Sequence, residues 1–73
     1  MVLSAHAPRL QRLLRLPQVE EATGLRRTQI FVAVKDGRFP KPVKVLESGR
    51  AVAWLESDVV AYQQARIAAR DAA

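Results

Sequence analysis

The sequence predicts a small α+β domain of three helices and one β-hairpin. Apolar residues recur at helical spacing in separate segments, and two short alternating segments flank a glycine turn. A chain of 73 residues that is 49% hydrophobic suffices for one domain with a small core. We divide it into a flexible arm at residues 1–11, a folded domain at residues 12–70 and a tail at residues 71–73.

The first elements along the chain are an extended segment and a short helix. Residues 13–16 form a largely apolar run, and a residue before proline favours extended conformations. Pro17 suits the first position of a helix, where its missing N–H costs nothing. Gly24 is a typical C-terminal stop for this helix. These signals predict a short strand followed by a first helix.

A second helix follows after a tight turn. It is predicted over residues 27–36, because Ile30, Ala33 and Val34 recur at helical spacing on one face. Gly37 ends it. Two short helices joined by a glycine-containing turn form a helix-turn-helix pattern.

A β-hairpin and a third helix complete the predicted domain. Two prolines exclude a helix in residues 38–42, and apolar residues alternate on either side of Gly49, which predicts a hairpin over residues 42–54. Ser57 suits the N-cap of a third helix that ends near Ala69. This order of elements is typical of a winged helix-turn-helix, in which one helix enters the DNA major groove and the hairpin, or wing, lies beside it.

The apolar pattern predicts a core around the single tryptophan. Aromatic side chains bury large areas, so Trp54 is the expected anchor of so small a domain. The pattern leaves Tyr62 open between the core and a contact between two copies. The other expected core residues are Val19, Leu25, Ile30, Val34, Val43, Val52, Val59 and Ile67.

The positive charge of the chain is concentrated in its middle third. The formal net charge is +5, and residues 26–50 contain seven of the twelve Lys and Arg but only two of the seven Asp and Glu. A concentrated basic stretch in a small domain points to a polyanion as the partner. A solvated surface is the alternative, and charge alone does not decide between the two.

The composition also argues against several other classes of protein. The chain has no Cys, and His6 has no second ligand near it in sequence, so we expect no metal or other cofactor. We find neither a membrane-spanning segment nor a targeting signal, which predicts a cytoplasmic protein without a membrane partner. A chain this short has little room for a lined pocket, so we expect no enzyme and no small-molecule substrate. Four aromatic residues are few for an RNA-stacking surface.

Residues 12–67 resemble the AlpA family of regulators from phages and integrated mobile elements, relatives of excisionases and of the DNA-binding part of MerR regulators. The matching motifs are Leu-Pro-x-Val at 16–19, Thr-Gly-Leu at 23–25, Thr-x-Ile-Phe at 28–31, Gly-x-Phe-Pro-x-Pro-Val at 37–43 and Arg-Ala-Val-x-Trp-x-x-Ser-Asp-Val at 50–59. The resemblance implies a winged helix-turn-helix that binds DNA as a sequence-specific regulator of transcription. An excisionase-type recombination directionality factor is one alternative, and a protein-interaction module such as an anti-repressor is another.

Two residues depart from the usual pattern of this family. Arg26 replaces a small capping residue before the second helix, and Phe31 stands where tyrosine is common. Because an arginine side chain has no acceptor, we expect this helix either to be weakly capped or to be capped by Thr28 from a shifted start.

Nine residues are expected to contact DNA. Arg27, Thr28 and Gln29 open the second helix, where arginine can pair with guanine and glutamine with adenine. Phe31 either packs against the hairpin or contacts a thymine methyl, and Arg50 is placed to enter a minor groove. The expected phosphate contacts are Arg26, Lys35, Lys41 and Lys44. For the two hairpin lysines, protection of a strand edge is the alternative role.

The expected partner is double-stranded DNA. One copy of so small a domain reads few base pairs, so we expect several copies on repeated half-sites about 34 Å apart, with self-association on the DNA. The bound protein would be associated with the nucleoid. In the arm, Arg9 either touches phosphate or lies in a disordered segment.

Overall fold

The computed structural model describes residues 9–73, which form three helices and a three-stranded sheet. The elements are, in order, β1 (Leu13–Leu14), α1 (Leu16–Thr23), α2 (Arg27–Lys35), β2 (Val43–Lys44), β3 (Val52–Leu55) and α3 (Glu56–Ala72). The predicted α+β fold is thereby confirmed, with the element order of a winged helix-turn-helix. The predictions for residues 1–8, including His6, lie outside the described residues.

The central strand of the sheet is β3, which pairs antiparallel with β1 on one side and with β2 on the other. Leu14 lies opposite Trp54, and Lys44 lies opposite Val52. The pairing of β2 with β3 confirms the predicted hairpin, and we call residues 42–54 the wing. Since β3 also pairs with β1, the wing is joined directly to the start of the helix-turn-helix.

The core surrounds Trp54, as predicted. The side chains of Trp54, Val19, Ile30 and Val59 are at most 2% exposed. The indole Nε1 donates a hydrogen bond of 2.8 Å to the carbonyl of Pro40. A buried N–H that lacked an acceptor would destabilise the fold, so this bond lets tryptophan fill the centre of the core.

Two core predictions are wrong, and the prediction also missed the core residue Phe39. Val43 is 38% exposed because it lies on the edge strand β2, and Ile67 is 50% exposed because it lies in the exposed last turns of α3. Phe39, which the apolar pattern did not select, is only 4% exposed. Its ring lies edge-on to Trp54 and to Tyr62, with centroid distances of 6.3 and 4.6 Å. Tyr62 therefore packs against the core from α3.

The first two helices begin in the same way. The backbone N–H of Arg15 donates to Oε1 of Gln18 at 2.9 Å, and that of Arg26 donates to Oε1 of Gln29 at 2.8 Å. Each glutamine thus supplies half of a capping box, while the arginine side chain has no acceptor with which to complete it. Helix α2 starts at the predicted position, and Thr28 does not cap a shifted start.

The turn between α1 and α2 is fixed by hydrogen bonds at its first residues. Gly24 has a φ of 77°, a conformation that glycine adopts at little cost, and its N–H donates to the carbonyl of Glu20 at 2.8 Å. The hydroxyl of Thr23 donates to the carbonyl of Val19 and accepts from the N–H of Leu25, at 2.8 and 3.2 Å. These contacts set the direction in which α2 leaves the turn.

Helix α3 begins earlier and ends later than predicted. It starts at Glu56, so Ser57 lies within its first turn and is not the N-cap. The N–H of Glu56 donates to the carbonyl of Arg12 at 2.8 Å. Arg12 precedes β1, and its carbonyl takes the place of the acceptor that a capping side chain would otherwise supply. The helix ends at Ala72 instead of near Ala69. Within residues 9–73, neither this helix nor a shorter one is long and apolar enough to cross a membrane.

Candidate nucleic-acid interface

The predicted DNA contacts all have exposed side chains on α2, on the wing or in the turns that flank α2. They are Arg26, Arg27, Thr28, Gln29, Phe31, Lys35, Lys41, Lys44 and Arg50. The basic middle third of the chain therefore folds into a surface that a partner can reach. Its two acidic residues, Asp36 and Glu47, are also exposed.

One side of α2 faces the wing. There the ring of Phe31 packs against the ring of Trp54 in β3, with centroids 5.9 Å apart. The guanidinium of Arg27 lies over the ring of Phe31, 5.7 Å from its centroid. These contacts join helix α2 to β3, the second strand of the wing.

Another side of α2 borders a groove that it shares with α3. Thr28, Gln29 and Val32 line this groove together with Tyr62. The Oε1 atom of Gln29 already accepts the hydrogen bond from the N–H of Arg26. Because glutamine reads adenine with both its oxygen and its nitrogen, base reading by Gln29 competes with capping of the helix.

Val32 is an exposed residue of α2 that the sequence analysis did not select. It is 48% exposed, and it lies one turn after Thr28 and nearly one turn before Lys35. The signal was present, because Val32 is out of phase with the buried Ile30 and Ala33. An apolar side chain at this position has the chemistry to contact a thymine methyl.

The three predicted basic contacts near the wing lie in different surroundings. Lys44 belongs to β2, and Arg50 follows Gly49, whose φ of 96° turns the chain at the tip of the wing. Lys41 instead lies in the connection before the wing, where it borders a shallow depression together with Asp58 of α3. Lys44 and Arg50 thus share one element, whereas Lys41 lies near an acidic side chain.

Two further arginines lie close to the candidate interface. Arg15 donates from Nε to the carbonyl of Val52 at 3.1 Å, which holds its guanidinium at the base of the wing. Arg38 follows α2 and pairs with Asp36 at 3.0 Å, an exposed ion pair of little energetic weight. Arg15 was not predicted from the charge pattern, because it precedes the basic segment and approaches it only through the pairing of β1 with β3.

Comparisons with known proteins agree with the motifs in this segment. A family model described as "Prophage CP4-57 regulatory protein (AlpA)" matches residues 12–67, which include α1, α2 and the whole wing. The uncharacterised protein ORF88 of Enterobacteria phage P4 is 42% identical over 60 residues, which cover 82% of this chain and 66% of the phage protein. The chain therefore spans slightly less than two thirds of that relative's length. No solved structure matches it.

Proposed function

Because the chain belongs to the AlpA family of phage regulatory proteins, we propose that it is a sequence-specific DNA-binding regulator of transcription from a phage or integrative element. Helix α2 lies in the major groove, and the wing lies on the adjacent backbone or in the minor groove. The observation that carries the proposal is the packing of Phe31 on Trp54, because it joins helix α2 to the wing.

The dimensions and polarity of α2 support this assignment. The helix has nine residues, and an α-helix with a diameter of about 10–12 Å fits a B-DNA major groove about 12 Å wide. Its N-terminus carries the positive end of the helix dipole next to Arg26 and Arg27. A helix start with this charge is attracted to phosphate and places its first side chains near base edges.

The size of the domain supports binding in several copies. One short recognition helix reads few base pairs, so specificity comes from repeated half-sites about one helical turn, or about 34 Å, apart. Copies bound at this spacing can contact each other on the DNA. A protein with this role acts in the cytoplasm and associates with the nucleoid when bound.

Substitution of Arg27 and of Lys44 tests the two proposed modes of contact. Preferred duplexes are first selected from random sequence with the unaltered protein, and affinities are then measured for selected and scrambled duplexes. Arg27→Ala should lose about 1–3 kcal/mol of discrimination at one base pair, because a bidentate arginine–guanine contact is removed. Lys44→Ala should weaken binding to all duplexes alike and lower the slope of log K against log salt by about 1.

The outcomes of this test separate the parts of the proposal. Equal effects of both variants on selected and scrambled duplexes would contradict base reading by Arg27. If the unaltered protein bound no duplex at low salt, DNA binding itself would be rejected. Genome-wide mapping of bound DNA then decides the role, since sites at promoters support transcriptional regulation and sites flanking an integrase attachment site indicate excision.

A further inference from the structure

Phe31 lies between the first residue of the recognition helix and the centre of the core. Its ring centroid is 5.9 Å from that of Trp54, with an angle of 53° between the planes, and 5.7 Å from the guanidinium carbon of Arg27. The side chain is 37% exposed, so it belongs neither to the closed core nor to the free surface. The three side chains contact one another in series from the core outward.

We propose that Phe31 is a positioning residue for DNA specificity, which holds the Arg27 guanidinium ready to read a base and does not itself read one. This inference rests on the proposed function. A free arginine side chain loses much rotamer freedom when a contact orders it. A ring that already holds the guanidinium removes part of that loss before DNA arrives, and preorganisation of this kind increases affinity for the matching base.

The ring of Phe31 has a fixed support. Trp54 is fully buried, and its indole is held by the hydrogen bond of 2.8 Å to Pro40 and by the edge-on ring of Phe39. Because Trp54 cannot turn without breaking these contacts, the ring packed on it is restrained as well. Arg27 is thereby connected, through Phe31, to the fully buried centre of the core.

The contact with Phe31 leaves Arg27 able to pair with a base. A cation–π contact is an attraction between the charge and the ring, and it uses none of the N–H donors of the guanidinium as hydrogen bonds. Guanine recognition requires those donors. Among residues 9–73, the side chain of Arg27 takes part in no hydrogen bond and no salt bridge, so its contact with the ring of Phe31 is the one that orients it.

The position of Val32 argues against Phe31 as the thymine reader. Val32 is more exposed than Phe31, at 48% against 37%, and it lines the groove on the other side of α2. Phe31 is turned toward Trp54 and the wing. On this helix, the apolar side chain available to a thymine methyl is therefore that of Val32.

The test compares base preferences, using pools of random-sequence duplexes, for the unaltered protein, Arg27→Ala, Phe31→Leu and Phe31→Tyr. Arg27→Ala identifies the base pair that Arg27 reads. Phe31→Leu, which keeps an apolar side chain but removes the ring, should reduce the preference at that same base pair by about 2- to 5-fold, the effect of one exposed cation–π contact. Phe31→Tyr keeps the ring and should retain the preference. In the Arg27→Ala background, Phe31→Leu should have no further effect at that base pair.

Thermal unfolding of each variant separates positioning from packing. A uniform loss of affinity at every base pair, accompanied by a lower melting temperature, would overturn the inference, and so would a loss confined to thymine preference at a neighbouring position. If Phe31→Leu does not fold, Phe31→Met gives the same test, because it also removes the ring but keeps a long and adaptable apolar side chain. Unchanged base preference in either variant, with DNA binding intact, rejects the inference and leaves the proposed function standing.

Discussion

Trp54 connects the core of the domain to both sides of the candidate interface. Its ring contacts Phe31 of α2 and Phe39 of the connection before the wing, and its indole N–H holds the carbonyl of Pro40. The sequence identified Trp54 as the anchor from its size alone. Its proposed second role, as the support of an arginine two contacts away, depends on ring packing that the sequence does not encode locally.

Truncation of Trp54 should unfold much of the protein. Trp54→Ala should lower the free energy of unfolding by about 3–5 kcal/mol, close to the whole stability of a small domain. Trp54→Phe should lower it by about 1–3 kcal/mol, because the carbonyl of Pro40 loses its donor. Urea unfolding followed by far-ultraviolet circular dichroism measures both, since each variant lacks the chain's single Trp as a fluorophore.

A surface substitution provides the control for these measurements. Val60 is 41% exposed on α3, so Val60→Ala should change the free energy of unfolding by less than about 0.5 kcal/mol. Unchanged stability in Trp54→Phe would show that the bond to Pro40 does not contribute to the fold.

At the scale of elements, α1 and α2 begin with the same hydrogen bond, so the effects of a substitution on helix capping and on DNA binding can be measured separately. Gln29 caps α2 and Gln18 caps α1 by the same bond to a backbone N–H. Glutamate keeps an acceptor at this position and adds a negative charge that the helix dipole favours. Gln29→Glu and Gln18→Glu should therefore both retain or slightly raise the free energy of unfolding.

The same two variants should differ in DNA affinity. Gln29→Glu places a negative charge at the start of the proposed recognition helix, where it should cost about 1 kcal/mol, or roughly fivefold in affinity. Gln18 lies outside the predicted contacts, so Gln18→Glu should cost clearly less. Titration of a labelled duplex measures both affinities, and equal losses would place the start of α2 no nearer to the DNA than the start of α1.

The elements differ in how far the sequence alone predicts them. The helix-turn-helix was predictable because Gly24 and Gly37 mark the ends of its helices, and local periodicity gave the buried face. The start of α3 was not, because the carbonyl that receives the N–H of Glu56 belongs to Arg12, far away in sequence. The exposure of Val43 was missed for a related reason, since an apolar pattern defines a face but not whether another element covers it.

The candidate site likewise has residues that the sequence predicts and contacts that it does not. Charge and helix position suffice to select Arg27 and Lys44, and both side chains are exposed. Sequence position does not reveal that Arg15 reaches the base of the wing or that Gln29 is occupied at a helix start. Contacts of this kind depend on strand pairing and on side-chain packing between elements.

At the scale of the whole molecule, the distribution of charge matters more than its total. The net charge is +5, but the basic residues outside the middle third are partly balanced, as in the pair of Arg70 with Asp71 at 2.8 Å. Exposed charges farther apart than about 8 Å are largely screened at physiological salt. The proposed DNA contacts should therefore come from α2 and the wing, while α3 contributes little.

Two double variants with the same change in net charge test this distribution. Lys44→Gln with Arg50→Gln removes two charges from the wing, and Arg66→Gln with Arg70→Gln removes two from α3. The wing variant should lower the slope of log K against log salt by about 1.8, because each lost phosphate contact contributes about 0.9. The α3 variant should leave the slope within about 0.5 of that of the unaltered protein. Equal reductions of the slope in both variants would show that the total charge of the protein sets its affinity, and would contradict contact between the wing and the DNA backbone.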